Sequence, residues 1–484
     1  MLSQLFSMDN PGKTHIICVT LNAFGHIIPM LELAERLSSS HDVTLALSSS
    51  SLEGLQRRGL CDTGKVQFYG IRDGIEGELD ALTHEKSGRS IGEDMHKMLK
   101  GVGNFVRNIS TRTAPNPTEN SVTDPDSSVK PVDFLIIDNF TGIALTAAIE
   151  RNIPFYILNT GCAYNLSLYT FLIDENTPML HFSDAPTLME YPAFDGCLTR
   201  PVPATLLHEF FLPLKKAMPK CRGVIINSIR AFEEDVIVQA KQQPGMANVP
   251  FFCVGPLMLS PPARESTSTA KSNEEMVVQA KVKKWLDFKK KHSVVYISFG
   301  TIATPNVGQM VEIMEAIKVL RKTRAVVWSL KSQHQSLLPG AFLEEVGGGL
   351  TEPNSSVLLM SWVPQTLVLG HKSTSVFVSH CGWNGTLEGL MGGVPFVAWP
   401  QAADQSINAE FLEKHGAAFV LRDADYRFGR VVSAEELVGL VEKVAGNDNM
   451  RNSARELQMK LHEAVGQGGS SNLEFQTLVQ CMKI

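Results

Sequence analysis

The chain has 484 residues, of which 44% are hydrophobic and 19% charged, a composition that excludes a disordered protein. This length exceeds what one compact core normally holds, so we expect two domains of similar size. The formal net charge of -6 provides no overall positive field that would attract nucleic acid.

The N-terminal segment MLSQLFSMDNPGK has neither the basic region nor the apolar run of a secretory signal. No later segment approaches the roughly 18 apolar residues of a membrane span. The eight cysteines are scattered, with no CxxC pair, which is typical of a reducing compartment. We therefore predict a cytoplasmic protein that neither binds nucleic acid nor spans a membrane, and we also expect a monomer.

Short β-branched runs alternate with helical patterns along the first half of the chain. The first run leads through a glycine-containing loop, NAFGHIIP, into a helical pattern, MLELAERL. This alternation indicates a parallel sheet covered by helices. The predicted strands lie at 15–21, 42–47, 132–140 and 154–160. Residues 108–131 are rich in Pro, Ser, Thr and Asn, and we predict a flexible surface insertion there.

The same alternation restarts in the second half, after apolar runs at 223–228 and 251–257 and a polar, proline-containing stretch at 260–275. The later strand-like runs lie at 293–300, 325–330, 356–362, 375–380 and 394–400. The predicted organisation is an N-terminal domain at 1–258, a linker at 259–282, a C-terminal domain at 283–462 and a final helix at 463–484 that packs back on the N-terminal domain.

One predicted strand end has the character of a phosphate site. In SVFVSHCGWNGTLEGL, His380, Gly382, Asn384 and Gly385 lie between a strand and the next helix. Ligands of parallel sheets bind beyond the carboxyl ends of strands, where helix N-termini carry roughly +0.5 charge. Glycines let the backbone approach a ligand, although glycines that only end the strand in a tight turn are the alternative.

The segment from Trp362 to Gln405 contains WVPQ, VLGH, HCGWN, GGVP, WP and DQ at spacings that make it resemble the signature box of family 1 UDP-glycosyltransferases. SFGT, LNAFGHIIP and GGSSNLEF extend the resemblance over most of the chain. The resemblance implies a GT-B type α/β fold, in which two doubly wound, Rossmann-like parallel-sheet domains face each other across a donor and acceptor cleft.

The resemblance also implies a donor site. Trp362 stacks on uracil, the Val363 backbone and Gln365 contact base and ribose, and Glu388 binds the ribose hydroxyls. Two further groups of residues are assigned to the rest of the donor. The diphosphate is assigned to Thr301, His380, Asn384 and the Gly385 N–H. The sugar is assigned to Trp383, Asp404 and Gln405.

Position 385 departs from the family pattern, which usually has serine there. The chain has glycine, so a hydroxyl donor to phosphate is missing and only the backbone N–H remains. Thr386 is a candidate substitute. We expect weaker or altered donor binding rather than loss of function.

Glycosyl transfer to a hydroxyl needs a base for the acceptor proton. His26 occupies the position of the family's general-base histidine, and Asp138 matches its carboxylate partner, which fixes the tautomer and stabilises the imidazolium. A helix-capping role is the alternative for Asp138. The resemblance further places Gly25, His26 and Thr160 beside the acceptor.

The expected reaction is a single in-line displacement with inversion, without a metal or a permanently bound cofactor. Two Asp-x-Asp triplets, Asp124/Asp126 and Asp423/Asp425, are interpreted as solvated surface. In relatives, Gln at position 405 together with Trp383 goes with glucose and His at that last position with galactose, so we predict UDP-glucose as donor co-substrate.

Overall likeness to flavonoid and phenol glucosyltransferases favours a phenolic or flavonoid-like lipophilic acceptor. Aromatic residues in 161–171 and 208–213 could line its pocket or belong to the core. A nicotinamide dehydrogenase is excluded because the first strand leads into LNAFGH instead of GxGxxG. A nucleotide-sugar epimerase and a catalytically silent UDP-sugar-binding protein stay open as alternatives.

Overall fold

The computed structural model describes residues 13–61, 64–75, 91–111, 130–164, 166, 179–180, 202–203, 207–258, 271–300, 305–346, 349–350, 352, 354–425 and 430–483. Every structural statement below concerns these residues.

The first sheet contains, within the described ranges, seven parallel strands in the order β3-β2-β1-β4-β5-β8-β9. Its strands are β1 (His15–Val19), β2 (Asp42–Ser48), β3 (Gln67–Ile71), β4 (Phe134–Asp138), β5 (Phe155–Asn159), β8 (Val224–Ile226) and β9 (Phe251–Cys253). A separate antiparallel pair is formed by β6 (Met179–Leu180) and β7 (Val202–Pro203). Strands β1, β4 and β5 are buried along their whole length, which explains their continuous apolar sequence.

Helices connect these strands and bury their apolar sides in two clusters against the sheet. They are α1 (Phe24–Leu37), α2 (Ser49–Arg57), α3 (Ile91–Asn108), α4 (Gly142–Glu150), α5 (Leu212–Ala217) and α6 (Arg230–Lys241). A π-helix at Leu207–Phe211 and a 3₁₀ turn at Met218–Lys220 flank α5.

The second sheet has, among the described residues, six parallel strands in the order β12-β11-β10-β13-β14-β15. These are β10 (Val294–Ser298), β11 (Ala325–Ser329), β12 (Val357–Met360), β13 (Thr374–Ser379), β14 (Phe396–Ala398) and β15 (Ala418–Val420). The helices around it are α7 (Lys271–Asp287), α8 (Val307–Leu320), α9 (Ser332–Gln335), α10 (Gly340–Val346), α11 (Gln365–Leu369), α12 (Trp383–Met391), α13 (Gln405–Lys414), α14 (Ala434–Ala445) and α15 (Asp448–Val465).

The last helix, α16 (Ser470–Cys481), returns to the first sheet and packs against β9. Glu474 on this helix accepts hydrogen bonds from Arg230 Nε at 2.9 Å and from the Cys253 N–H at 2.6 Å. Leu478 and Met482 are buried with the residues of the first sheet. The C-terminus of the chain is therefore part of the N-terminal half of the molecule.

The predicted fold class, two parallel-sheet α/β domains, is confirmed. Strands β3 and β15 were not predicted, because QFYGI is mostly half-exposed and contains a glycine, and AFV has only three residues. Helix α1 begins at Phe24, so the predicted loop NAFGHIIP is largely helical, and Pro29 lies inside the helix. In the described part of the chain, no helix is long and apolar enough to cross a membrane.

The predicted linker, 259–282, overlaps helix α7 from Lys271 onward, and its residues 259–270 lie outside the described ranges. Val282 and Trp285 are buried, and the Trp285 indole donates to the Ser355 carbonyl oxygen at 3.1 Å. These contacts tie α7 to the second sheet. The interior of the predicted insertion, residues 112–129, is likewise outside the described ranges, and the domain boundaries stay predictions.

Candidate functional site

His26 and Asp138 lie together at the carboxyl ends of β1 and β4. Nδ1 of His26 is 2.9 Å from Oδ2 of Asp138 and 3.1 Å from Oγ1 of Thr160. The Asp138 side chain is 0% exposed, and the His26 side chain is 19% exposed. Since Nδ1 faces the carboxylate, it carries the proton, and Nε2 is left as the basic nitrogen.

The electrostatic surroundings make His26 a stronger base than an ordinary histidine. Burial lowers the pKa of His26, but the charge of Asp138, its hydrogen bond and the charge of Asp404 together raise this pKa above its usual value. Asp138 itself is fixed, because it accepts hydrogen bonds from Thr20 Oγ1 at 3.1 Å and from the Phe140 N–H at 2.8 Å.

Pro29 leaves one backbone carbonyl of α1 available to the other half of the molecule. Proline has no N–H, so residue 29 cannot donate to the carbonyl of residue 25, its partner in a regular helix. The Gly25 carbonyl oxygen instead accepts a hydrogen bond from Nδ2 of Asn384 at 3.2 Å. This bond brings the start of α12 next to His26 across the space between the two sheets.

Helix α12 begins directly beyond the carboxyl end of β13. Gly382 is its N-cap, and the Gly382 carbonyl accepts the first helical bond from the Thr386 N–H at 2.9 Å. The N–H groups of Trp383, Asn384 and Gly385 therefore have no acceptor within the helix and are available to an anion.

His380 is held between two glycines at this helix start. A Cβ on Gly300 would lie 2.6 Å from Nε2 of His380, and a Cβ on Gly382 would lie 2.7 Å from it, so only glycine fits at either position. Burial lowers the pKa of His380 to about 4. Without a bound anion the ring is uncharged near neutral pH, and it can offer a phosphate a hydrogen bond.

The residues assigned to uridine form a connected group on the second sheet. Trp362 is 48% exposed, whereas Val363 beside it is buried. Nε2 of Gln365 donates to Glu388, and Oε1 of Gln365 accepts from the Tyr296 hydroxyl at 2.8 Å. Burial raises the pKa of Glu388 to about 7, although the Gln365 hydrogen bond opposes this. Tyr296 was missed by the sequence analysis because it lies within an apolar strand.

The side chain of Trp383 is hydrogen-bonded to the first half of the molecule. Its Nε1 donates to the Asn227 carbonyl oxygen at 2.6 Å, and its ring meets Phe411 edge-on at 5.9 Å. Only the backbone N–H of Trp383 is therefore left for a ligand. Asn227 was not singled out by the sequence analysis, since a lone Asn after a strand resembles many turn residues.

Asp404 and Gln405 start α13. Asp404 accepts from Nδ2 of Asn408 at 2.9 Å. Oε1 of Gln405 accepts from the N–H groups of Gln401 and Ala402 at 2.8 and 3.1 Å. With this oxygen occupied, the carboxamide nitrogen of Gln405 is the group suited to a sugar hydroxyl.

Position 385 has room for a larger residue. The nearest atom to a Cβ built on Gly385 is Nε2 of Gln365 at 3.6 Å, an ordinary contact. Thr386 is completely buried, and its hydroxyl has no hydrogen-bond partner within the described ranges. Thr386 therefore cannot replace the missing hydroxyl without rearrangement.

Thr301, assigned to the diphosphate, and the Asp124/Asp126 triplet lie outside the described residues. Asp423 lies at a turn with φ of 53°, where its carbonyl accepts from the Arg430 N–H at 2.9 Å. Among the residues that the structure describes, no group of three or more His, Cys, Asp or Glu side chains could hold a metal ion.

Comparison with known proteins agrees with this geometry. Residues 266–463 match the family model described as UDP-glucoronosyl and UDP-glucosyl transferase. UDP-glycosyltransferase 71C3 of Arabidopsis thaliana is 31% identical over 358 residues, which are 70% of this chain and 71% of the relative. A flavonol 3-O-glucosyltransferase of Actinidia chinensis var. chinensis is 25% identical over 98% of both chains.

The fold also matches solved structures. The crystal structure of Medicago truncatula UGT71G1 complexed with UDP-glucose superposes with a TM-score of 0.69 at 22% identity, covering 97% of this chain and 98% of that chain. At this identity the likeness establishes the architecture of two facing parallel-sheet domains.

Proposed function

This chain belongs to the UDP-glycosyltransferase family, and from that premise we propose that it transfers glucose from UDP-glucose to a hydroxyl of a small lipophilic acceptor, with inversion at the anomeric carbon. Membership makes the chain a glycosyltransferase that acts on small acceptors. The observation that carries the finer proposal is the His26–Asp138 contact of 2.9 Å beside the start of α12.

His26 acts as the general base. Its Nε2 takes the proton of the acceptor hydroxyl as the oxygen attacks the anomeric carbon. Asp138 stabilises the imidazolium that forms, and its fixed hydrogen bonds hold the ring in position. Thr160, whose hydroxyl is 3.1 Å from Nδ1 of His26, limits rotation of the ring.

The leaving group departs toward α12. As the new carbon–oxygen bond forms, the bond between the anomeric carbon and the β-phosphate oxygen breaks, and UDP carries away the electron pair. The free N–H groups of Trp383, Asn384 and Gly385 and the positive end of the helix stabilise the diphosphate. His380 adds a hydrogen bond as a neutral imidazole.

The donor is selected by residues of the second sheet. Trp362 offers an exposed aromatic face to uracil, and Glu388, oriented by Gln365, offers carboxylate oxygens to the ribose hydroxyls. Gln405 donates from its carboxamide nitrogen to the sugar, with Asp404 accepting beside it. The UDP-glucose bound to the Medicago relative supports this choice of donor.

The acceptor lies against aromatic residues next to His26. Phe140 is half-buried and meets the His26 ring edge-on at a centroid distance of 5.1 Å. Phe210 and Phe211, on the π-helix, pack against Phe140 at 5.9 and 5.6 Å. An apolar wall beside the base suits a planar phenol, and the similarity to a flavonol glucosyltransferase supports this class.

Incubation with UDP-glucose and a panel of phenols, followed by UDP release and product mass, tests the proposal. We expect UDP release that requires the phenol, and a product heavier by one hexose with the β configuration. Conversion of UDP-glucose without an acceptor would indicate an epimerase. UDP binding without turnover of any acceptor would indicate a silent binding protein.

A further inference from the structure

Asn227 connects the two halves of the molecule at the centre of the cleft. It follows β8, is 0% exposed, and has all its polar groups engaged. Its N–H donates to the Asn159 carbonyl at 3.0 Å, and its Oδ1 accepts from the Leu257 N–H at 2.6 Å. These two bonds fix the residue firmly to the first half.

The remaining groups of Asn227 reach toward both functional regions. Nδ2 donates to the Thr160 carbonyl at 3.1 Å and to Oδ1 of Asn384 at 3.3 Å. The Asn227 carbonyl accepts from Nε1 of Trp383 at 2.6 Å. Asn227 therefore contacts Thr160, which neighbours His26, and also the first two residues of α12, Trp383 and Asn384.

A fully buried asparagine with five partners, two on its backbone and three on its side-chain amide, is costly to disturb, because any partner that loses it is left unpaired inside the protein. The partners here belong to the parts that must meet during transfer, the base side and the leaving-group side. Small misplacements between such parts reduce rates by roughly 100-fold, because reacting atoms must start within near-contact distance.

We propose that Asn227 is a positioning residue that holds the start of α12 in register with the His26–Thr160 side of the cleft. It touches neither the reacting atoms nor the base, and acts through Asn384, Trp383 and Thr160. This inference rests on the proposed glycosyl transfer, but the contacts that carry it are independent of the donor sugar and the acceptor.

The test compares Asn227→Ala with Asn447→Ala. Asn447 caps α15 by accepting from the Met450 N–H at 3.0 Å, so its removal also weakens the fold, but away from the cleft. We expect Asn227→Ala to lower kcat about 10- to 100-fold while the Kd for UDP changes less than about threefold. Asn447→Ala should leave kcat unchanged.

A purely structural residue would not move the pH profile, which gives a second readout. The charge of Asp404, on the second half, contributes to the raised pKa of His26 on the first. When the two halves separate, this contribution falls, so the acid limb of kcat/KM should shift to lower pH in Asn227→Ala. An unchanged limb with kcat within twofold of wild type overturns the proposal, as does an equal kcat loss in Asn447→Ala.

Two further variants cover the case in which Asn227→Ala does not fold. Asn227→Asp keeps an oxygen for the Leu257 N–H and loses both donors, and Trp383→Phe removes the indole donor from the opposite side while keeping a ring against Phe411. Either should lower kcat in the same way, and wild-type kcat in both overturns the proposal. Small-angle scattering tests the inference even if the protein shows no glycosyl transfer. A larger radius of gyration in Asn227→Asp than in wild type would support the role of Asn227 in joining the two halves. Equal radii would contradict it.

Discussion

Asp138 Oδ2 lies 2.9 Å from Nδ1 of His26 and also accepts from the Thr20 hydroxyl, so the carboxylate is fixed by the same sheet that positions the histidine. Residues from two neighbouring strand ends, β1 and β4, thus meet at one point, although more than 100 positions separate them in the chain. Their roles can be separated by substitution.

Replacing His26 by Ala should lower kcat by about 10²- to 10⁴-fold, because the proposed acceptor of the hydroxyl proton is removed. The Kd for UDP should stay within about twofold, since the proposed nucleotide contacts lie on the second sheet. Isothermal titration with UDP and turnover assays check both. His462→Ala, an exposed site on α15, serves as the matched control. Unchanged turnover in His26→Ala would contradict the assignment.

The acid limb of kcat/KM should have its midpoint above pH 6.5, because the pKa of His26 is raised and only its neutral form accepts a proton. Asp138→Asn removes the charge and leaves burial, which lowers this pKa, so the limb should move to lower pH. Turnover at its plateau should fall by about 10³-fold or more. A pH–rate series on both proteins measures this, and a limb at higher pH in the variant would refute it.

Gly385→Ser should strengthen donor binding. The site has room for the side chain, and a hydroxyl that donates to a charged phosphate is worth roughly 1.5 kcal/mol, or about a tenfold lower KM for UDP-glucose. Gly385→Ala separates the hydroxyl from the gain in helix propensity. Equal KM values for the serine and alanine variants would show that the hydroxyl contributes nothing.

Trp362→Ala should raise the Kd for UDP about tenfold, because stacking on a base is worth roughly 1–3 kcal/mol. The indole is half exposed, so the melting temperature should change little. Trp362→Phe keeps an aromatic face and should recover most of the affinity. Titration calorimetry measures both variants, and a phenylalanine variant as weak as the alanine variant would argue against stacking.

Glu233→Gln should reduce the decrease in the free energy of unfolding that occurs as the pH rises. Burial raises the pKa of Glu233 from 4.5 to about 7, even though the Ala163 N–H donates to it at 2.9 Å. The folded protein therefore holds a proton that the unfolded chain has released, and stability falls between pH 4.5 and 7, by up to about 3 kcal/mol. Urea unfolding at pH 5 and pH 8 should show a smaller difference for Glu233→Gln, and the exposed Glu234→Gln should behave as wild type.

The sequence predicted the architecture well because strands such as β1, β4 and β10 are buried on both faces and therefore appear as continuous apolar runs. Polar residues at the ends of such runs, Asp138 as the last residue of β4 and His380 directly after β13, could be placed at carboxyl strand ends for the same reason. Short edge strands such as β15 carry no such pattern and were missed.

Contacts across the cleft could not be predicted. Nothing in the sequence near Asn227 indicates that Trp383 will donate to its carbonyl, since the two residues are 156 positions apart. The predicted loop NAFGHIIP is helical from Phe24 onward, and the Gly25 carbonyl, which Pro29 leaves without a helical donor, accepts from Asn384. Titration behaviour, such as the low pKa of His380, likewise depends on burial that only the fold creates.

The return of α16 to the first sheet has a mechanical consequence. The chain passes from the first half to the second between Met258 and Lys271, and comes back between Val465 and Ser470, where Glu474 holds Arg230. The two halves are therefore joined by two covalent connections instead of one, and any displacement of one half relative to the other must be accommodated in both.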